Sequence, residues 1–152
     1  MTALELRLQE VRVSTGGEPP LVVLREAKGE RLLPIWTNFD GVTAIVAATE
    51  AAKTEVITMH ELLRDLLAIH GHRVEAVRLT GFEDGRFFAE ITVSGKTLLL
   101  RPTDAIAMSV LTGCTIHCAA EVLDAAGVHP EPLEEVARFR EFLDSVDPTD
   151  FE

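Results

Sequence analysis

Apolar and polar residues alternate over the first stretch of the chain, from Leu4 to Val13. This period of two is typical of a strand with one buried face. Residues 14–20 are rich in Ser, Gly and Pro and therefore predict a loop. Two apolar runs, 21–24 and 31–36, then flank the short segment Glu26–Gly29, which predicts a hairpin.

Helix signals follow the hairpin. Asn38 is a favourable N-cap for a helix predicted from Phe39 to Ala52. Thr58 and Glu61 have the spacing of a capping box, which opens a second predicted helix that ends at Gly71. The apolar stripe of this second helix is predicted to comprise Met59, Leu62, Leu63, Leu66 and Leu67.

The chain then repeats its own pattern at an offset of 66 residues. Val77–Leu79 matches Val11–Val13, Gly95–Leu99 matches Gly29–Leu33, and each copy continues into a helix that contains Ala-Ile. Two ordinary hairpins could align in the same way, so the repeat favours an internal duplication without requiring it. We predict an α+β fold in which two strand–hairpin–helix units form a mixed or antiparallel sheet system, with helices packed on it and a C-terminal helix.

The last part of the chain differs from the body. A short strand (115–118) and a short helix (120–126) precede a run of turn-forming residues, and residues 133–146 have the spacing of an amphipathic helix. We therefore predict one α+β domain over residues 1–128 and an acidic helical tail over 129–152. The apolar face of the last helix must pack on its own body or on a neighbouring subunit. We expect a homo-oligomer, most simply a two-fold dimer.

Charge is distributed unevenly along the chain. The formal net charge is −11, and residues 119–152 contribute −8 of it with ten acidic residues and two arginines. Residues 1–118 are close to neutral, with a net charge of −3. Binding phosphates relies on Lys and Arg, and no basic cluster is evident in the sequence. The charge thus gives no independent sign of a nucleic-acid partner, although the body has room for a local basic patch.

The sequence also bears on the compartment. No apolar run approaches the ~20 residues of a membrane span, and the first residues lack the pattern of a signal peptide. Cys114 and Cys118 flank His117 in a predicted strand, where positions four apart are ~13 Å from each other and too far apart to ligate one ion. We expect buried structural thiols in a reducing cytoplasm and no membrane partner.

Three stretches of the chain resemble motifs of the bifunctional nuclease family, in the same order. They are Leu33-Pro34-Ile35-Trp36 followed by Ala44-Ile45, then His60-Glu61-Leu62-Leu63, then Arg101-Pro102-Thr103-Asp104-Ala105-Ile106-Ala107. The resemblance implies hydrolysis of phosphodiester bonds in DNA or RNA. Such chemistry commonly uses carboxylates that hold one or two divalent ions, here Mg²⁺ or Mn²⁺.

The resemblance also assigns site residues. It implies catalytic roles for Asp104, His60 and Glu61, metal binding by Asp104 and Glu61, and substrate binding by Arg101. Asp40 matches no motif position, but it lies next to the position of a family carboxylate that this chain lacks and is a fourth candidate catalytic residue if the turn re-aims it. Simpler roles compete with each of these assignments. Glu61 is explained by the capping box, and acidic or polar residues at Asp104, His60 and Asp40 are ordinary in the first turn of a helix.

Two further residues have competing interpretations. Arg101 can clamp a phosphate or pair with a carboxylate. Trp36 is expected in the core or in a subunit interface, whereas an exposed tryptophan would be able to stack on a base.

The chain departs from the family at one critical position. Gly41 stands where the family has Glu, Thr37-Asn38 replaces Ile-Gly, and Val56-Ile57 replaces Arg-Pro. Neighbouring helical residues point about 100° apart, so Asp40 does not simply inherit the lost carboxylate position. Two hypotheses remain: a metal-assisted nuclease, or a non-catalytic oligomeric binding or regulatory module that keeps the fold without the active site.

Overall fold

One mixed sheet of seven strands forms the scaffold of the chain. The computed structural model describes residues 3–51 and 55–130. In chain order the strands and helices are β1 (Ala3–Arg12), β2 (Leu21–Glu26), β3 (Leu32–Trp36), α1 (Phe39–Thr49), α2 (Met59–Ile69), β4 (Val74–Glu83), β5 (Arg86–Val93), β6 (Lys96–Leu100), α3 (Pro102–Thr112), β7 (Ile116–Ala119) and α4 (Ala120–Ala126). The predicted α+β fold class is confirmed.

The sheet has two similar halves joined by its shortest strand. Its order is β3-β2-β1-β7-β4-β5-β6, and all neighbouring strands are antiparallel except β4 and β7, which are parallel. Each half consists of three consecutive antiparallel strands, after which the chain enters a helix, α1 or α3. The order of elements agrees with two strand–hairpin–helix units, while their origin by duplication stays a prediction.

Strand β2 is buried along the continuous apolar run that was recognised in the sequence. Val22 and Leu24 belong to the main core, and Leu21 and Val23 pack in a second small cluster with Leu32. A strand with both faces covered has no need to alternate apolar and polar residues. The hairpin predicted for this segment is confirmed, since β2 pairs with β3.

Helix caps explain where the first two helices begin. The Asn38 side chain accepts a hydrogen bond from the Gly41 amide at 2.9 Å, and the predicted capping box of Thr58 and Glu61 opens α2. The first helix ends at Thr49, before the predicted end at Ala52, which lies outside the described residues.

Helix α3 is the most buried helix of the described chain, with six of its eleven residues buried. Its buried residues therefore cover most of its circumference and are not confined to one stripe. Pro102 begins it, where the missing amide hydrogen has no cost. Gly113 ends it with φ of +73°, a left-handed conformation that glycine adopts without strain.

Two sets of apolar side chains lie on the surface of the described chain. Of the two places expected for Trp36, the core is excluded because 61% of the residue is exposed, while a subunit interface stays a prediction. The predicted stripe of α2 is also largely on the surface, with only Leu67 packed against the core and the others exposed: Met59, Leu62, Leu63 and Leu66. Periodicity identified a helical face correctly, but it cannot tell whether another part of the same chain covers that face.

Several predictions lie beyond the described residues or are not tested by them. The amphipathic helix at 133–146 and most of the acidic tail fall outside the described ranges. The homo-oligomer therefore stays a prediction. Each helix in the described ranges is too short or too polar to cross a bilayer.

Removing core volume from α3 should destabilise the fold. Ile106 is fully buried, so Ile106→Ala is expected to lower the free energy of unfolding by about 2–5 kcal/mol. Ile69→Ala is a matched control, because Ile69 is 74% exposed at the end of α2. Urea denaturation of both variants checks this. Equal effects would show that α3 is not central to the core.

Candidate active site at three helix N-termini

The first turns of α1, α2 and α3 each contribute one polar side chain to a single cluster. Asp40 comes from α1, His60 from α2 and Asp104 from α3. Arg101, the residue immediately before α3, connects them. We call Asp40, His60, Arg101 and Asp104 the three-helix cluster.

The guanidinium of Arg101 holds two carboxylates at once. Its Nε donates to Asp104 Oδ2 at 2.6 Å and its Nη2 to Asp104 Oδ1 at 3.0 Å. Its Nη1 donates to Asp40 Oδ2 at 2.8 Å. The planar fork of donors makes this bidentate geometry specific to arginine. Hydrogen bonds to Asp104, followed by those to Asp40, raise the pKa of Arg101 above its ordinary value.

Asp104 also contacts His60. The distance from His60 Nε2 to Asp104 Oδ1 is 3.0 Å. Hydrogen bonds from Arg101 lower the pKa of Asp104, burial opposes this, and His60 lowers it further. Since an ionised carboxylate only accepts hydrogen bonds, Nε2 must carry a hydrogen. In a neutral ring Nδ1 is then the unprotonated nitrogen.

Three helix N-termini contribute partial positive charge next to this cluster. Each N-terminus carries roughly half a positive charge from its aligned peptide dipoles and unpaired amides. This field stabilises Asp40 and Asp104, and it also favours an incoming anion. The cluster thus combines an imidazole, a guanidinium and polarised backbone ends, which together suit a phosphate group.

Glu61 performs the structural role that its spacing indicated. It is 3% exposed, and its Oε1 accepts from the Thr58 amide at 3.4 Å and from the Thr58 hydroxyl at 3.2 Å. The carboxylate is therefore engaged in the cap of α2. Its predicted catalytic and metal-binding roles are not tested by this geometry and stay predictions.

A cleft of about 750 Å³ borders the three-helix cluster. Trp36, Arg86, Arg101 and Thr103 are among its lining residues. Sequence reasoning missed Arg86, which follows the tight turn between β4 and β5. No motif marks this residue, because only the folded sheet brings the turn to the end of β3.

Comparison with known proteins agrees with this architecture. A profile of the bifunctional nuclease domain matches residues 22–131. The chain belongs to the bifunctional nuclease domain family. Two uncharacterized proteins of Mycobacterium tuberculosis, from strains CDC 1551/Oshkosh and H37Rv, are each 33% identical to it over 97% of both chains. The family resemblance inferred from the motifs is confirmed.

The residue that departs from the family, Gly41, has a packing reason. A Cβ atom there would lie 2.5 Å from Thr37 Oγ1 and 2.8 Å from Thr103 Cγ2. Both distances are shorter than real Cβ contacts allow, so α1 and the start of α3 approach each other closely. The glutamate that the family carries here has no room unless these threonines move. The Asp40 carboxylate accepts a hydrogen bond from Arg101, and its predicted catalytic role stays a prediction.

The described donors do not fit a divalent ion held by the protein alone. Within residues 3–51 and 55–130 no three His, Cys, Asp or Glu side chains gather as ligands. Both oxygens of Asp104 already face Arg101, so a metal ion would have to displace a cation. The assignment of Asp104 and Glu61 as ligands of Mg²⁺ or Mn²⁺ stays a prediction.

Filling the space at Gly41 should push α1 and α3 apart. Gly41→Ala is expected to lower the free energy of unfolding by about 1–3 kcal/mol, as overpacking does, despite the better helix propensity of alanine. Gly16→Ala is the control, because its Cβ would meet only Ser14 Oγ at an ordinary 3.5 Å. Urea denaturation compares the two. A Gly41→Ala protein as stable as wild type would mean that the two helices separate easily and that a larger side chain is tolerated.

The lowered pKa of Asp104 makes its contribution to stability depend on pH. The unfolded chain binds this proton more readily, with a pKa of about 3.9. The contribution is therefore fully present above about pH 5 and is lost as the pH falls through the lower folded-state pKa. Wild type should exceed Asp104→Asn in stability at pH 7, and the difference should shrink towards pH 3. In an Arg101→Ala background most of this pH dependence should disappear, because Arg101 is the main cause of the shift. Denaturation of the four proteins from pH 3 to 7 measures it, and a difference that does not vary with pH contradicts the ion pair.

Proposed function

We propose that this member of the family hydrolyses phosphodiester bonds of DNA or RNA at the three-helix cluster. The observation that carries the proposal is the contact of His60 with an ionised Asp104 beside Arg101, where three helix N-termini meet. A general base, an orienting carboxylate and an electrophilic clamp are together able to promote attack of water on a phosphodiester.

His60 acts as the base in this proposal. Its Nδ1 takes a proton from water as the water oxygen forms a bond to phosphorus. The bond from phosphorus to the leaving sugar oxygen then breaks, and the proton passes from the imidazolium to that oxygen. Asp104 holds the ring in one tautomer and stabilises the imidazolium, a positioning role.

Arg101 binds the phosphate. Its hydrogen bonds to Asp104 are shielded from solvent better than its bond to Asp40, because only 20% of the Asp104 side chain is exposed. Asp40 is 75% exposed, so its ion pair is weakly held and readily exchanged. A non-bridging phosphate oxygen replaces Asp40 on Nη1 while Asp104 keeps the fork in place. The partial positive charges of the helix ends stabilise the negative charge that develops on phosphorus.

The alternative is a binding or regulatory module without catalysis. Two observations favour it: Gly41 leaves no space for the family glutamate, and Glu61 is engaged in its helix cap. In this case the cleft and Arg101 still bind nucleic acid, but no bond is broken. Cleavage assays separate the two functions.

Cleavage should depend on His60 and Asp104. With single- and double-stranded DNA and RNA as substrates, His60→Ala and Asp104→Asn are each expected to lower the rate by about 10²- to 10⁴-fold, the usual contribution of a general base. Asp65→Asn is the matched control, an exposed carboxylate on α2 that pairs with its neighbour Arg64. Parallel assays with EDTA, Mg²⁺ or Mn²⁺ measure the metal requirement that the family resemblance implies.

The outcomes are distinct. Equal residual cleavage by wild type and both site variants would identify a contaminating nuclease and leave the binding module as the better account. Cleavage that is lost in EDTA, restored by Mn²⁺ and insensitive to His60→Ala would replace the proposed base with a metal-bound water.

A further inference from the structure

The side chain of the tryptophan of this chain is exposed to solvent. Trp36 is the single tryptophan among the 152 residues, and 61% of it is exposed at the end of β3. It lines the 750 Å³ cleft that borders the three-helix cluster. Large aromatic side chains are mostly buried unless they meet a ligand or a partner. The exposed indole is therefore available to an occupant of the cleft.

An exposed guanidinium faces the same cleft. Arg86 is exposed and, among the residues that the structure describes, it makes no side-chain hydrogen bond or ion pair. It follows a two-residue turn in which Asp84 and Gly85 both have positive φ, 51° and 76°. Turns of this kind fit the twist of a hairpin, so Arg86 is carried on a well-defined strand end rather than on a loose loop.

Arg101 lines the cleft and also belongs to the three-helix cluster. The cleft thus extends from an aromatic face and an exposed cation to the candidate active site. An aromatic platform beside guanidinium groups is the combination that binds single-stranded nucleic acid, because bases stack on the ring and phosphates meet the cations. In a duplex the bases already stack on each other, so the indole has no face to meet.

We infer that the cleft binds a single strand of nucleic acid, with one base stacked on Trp36 and the adjoining phosphates held by Arg86 and Arg101. This inference rests on the proposed function, since it names the substrate of that site. A second copy of the chain is the competing occupant of an exposed aromatic side chain. The guanidinium of Arg86, which pairs with no side chain in the described part of the chain, favours a ligand that brings negative charge.

The single tryptophan makes the test direct. The full chain is titrated with a phosphorothioate oligothymidine of twelve nucleotides, which resists hydrolysis, and with a hairpin duplex of equal charge, at fixed salt. Fluorescence of Trp36 should be quenched saturably by the single strand, and the duplex should bind at least tenfold more weakly. Anisotropy of a labelled single strand gives affinities for variants that lack the tryptophan.

Variants identify the contacts. Trp36→Ala should weaken single-strand binding on the order of 10- to 100-fold, as loss of one stacked base does, while Trp36→Phe keeps most of the affinity. Arg86→Ala should weaken binding several-fold and reduce the salt dependence. Phe88→Ala and Arg78→Ala are the matched controls, an exposed aromatic residue and an exposed arginine outside this cleft.

Failure of this inference can be told from failure of the proposed function. Cleavage by wild type together with unchanged binding by Trp36→Ala and Arg86→Ala would overturn the cleft assignment alone. Binding as expected without any cleavage would uphold the cleft and reject hydrolysis. Fluorescence that changes with protein concentration in the absence of oligonucleotide would assign Trp36 to an interface between copies and overturn the inference.

Discussion

The organisation of the candidate site depends on one guanidinium. Arg101 stands between β6 and α3 and binds carboxylates from the first turns of two different helices. Without that cation, Asp40 and Asp104 would place two like charges close together, where they repel each other. With it, Asp104 stays ionised and can orient His60. Arg101 is the N-cap residue of α3 and is neither a base nor a nucleophile. It nevertheless determines the ionisation of Asp104 and, through Asp104, the orientation of His60.

A steric constraint accompanies this electrostatic one. The absence of a side chain at Gly41 lets α1 approach Thr103 closely. The family glutamate has no room in this packing unless Thr37 and Thr103 move. The substitution is therefore matched to the close contact of the two helices as well as removing a carboxylate.

Local structural features of the chain could be predicted from its sequence. The period-two pattern of β1, the N-cap of α1 and the capping box of α2 depend on residues close together along the chain, so they could be predicted with little knowledge of the rest. Motif resemblance also selected Asp104, His60 and Arg101, and Asp40 was a candidate as the neighbour of the lost family glutamate; the fold brings these four residues together. Their mutual hydrogen bonds join three separate helices, and no local pattern encodes such pairings.

The features that sequence reasoning missed are tertiary. Trp36 and most of the apolar stripe of α2 are exposed. Burial depends on which element lies opposite, and that is decided by the whole sheet. Arg86 became relevant only because the turn between β4 and β5 comes to the end of β3. Glu61 shows the opposite case: a purely local explanation accounts for its contacts, while the functional role taken from the resemblance has no contact that supports it.

Strand β7 occupies the middle of the sheet although it is among the last elements of the described chain. It pairs with β1, more than a hundred residues earlier, and with β4. Neither half of the sheet can join the other until the ribosome has released the segment around Ile116. Until then each half exposes a strand edge that is able to pair with another chain. During synthesis these strand edges are therefore able to pair with the wrong strand. Folding around this late central strand is also expected to be slower than folding of a sheet whose neighbouring strands are close in sequence.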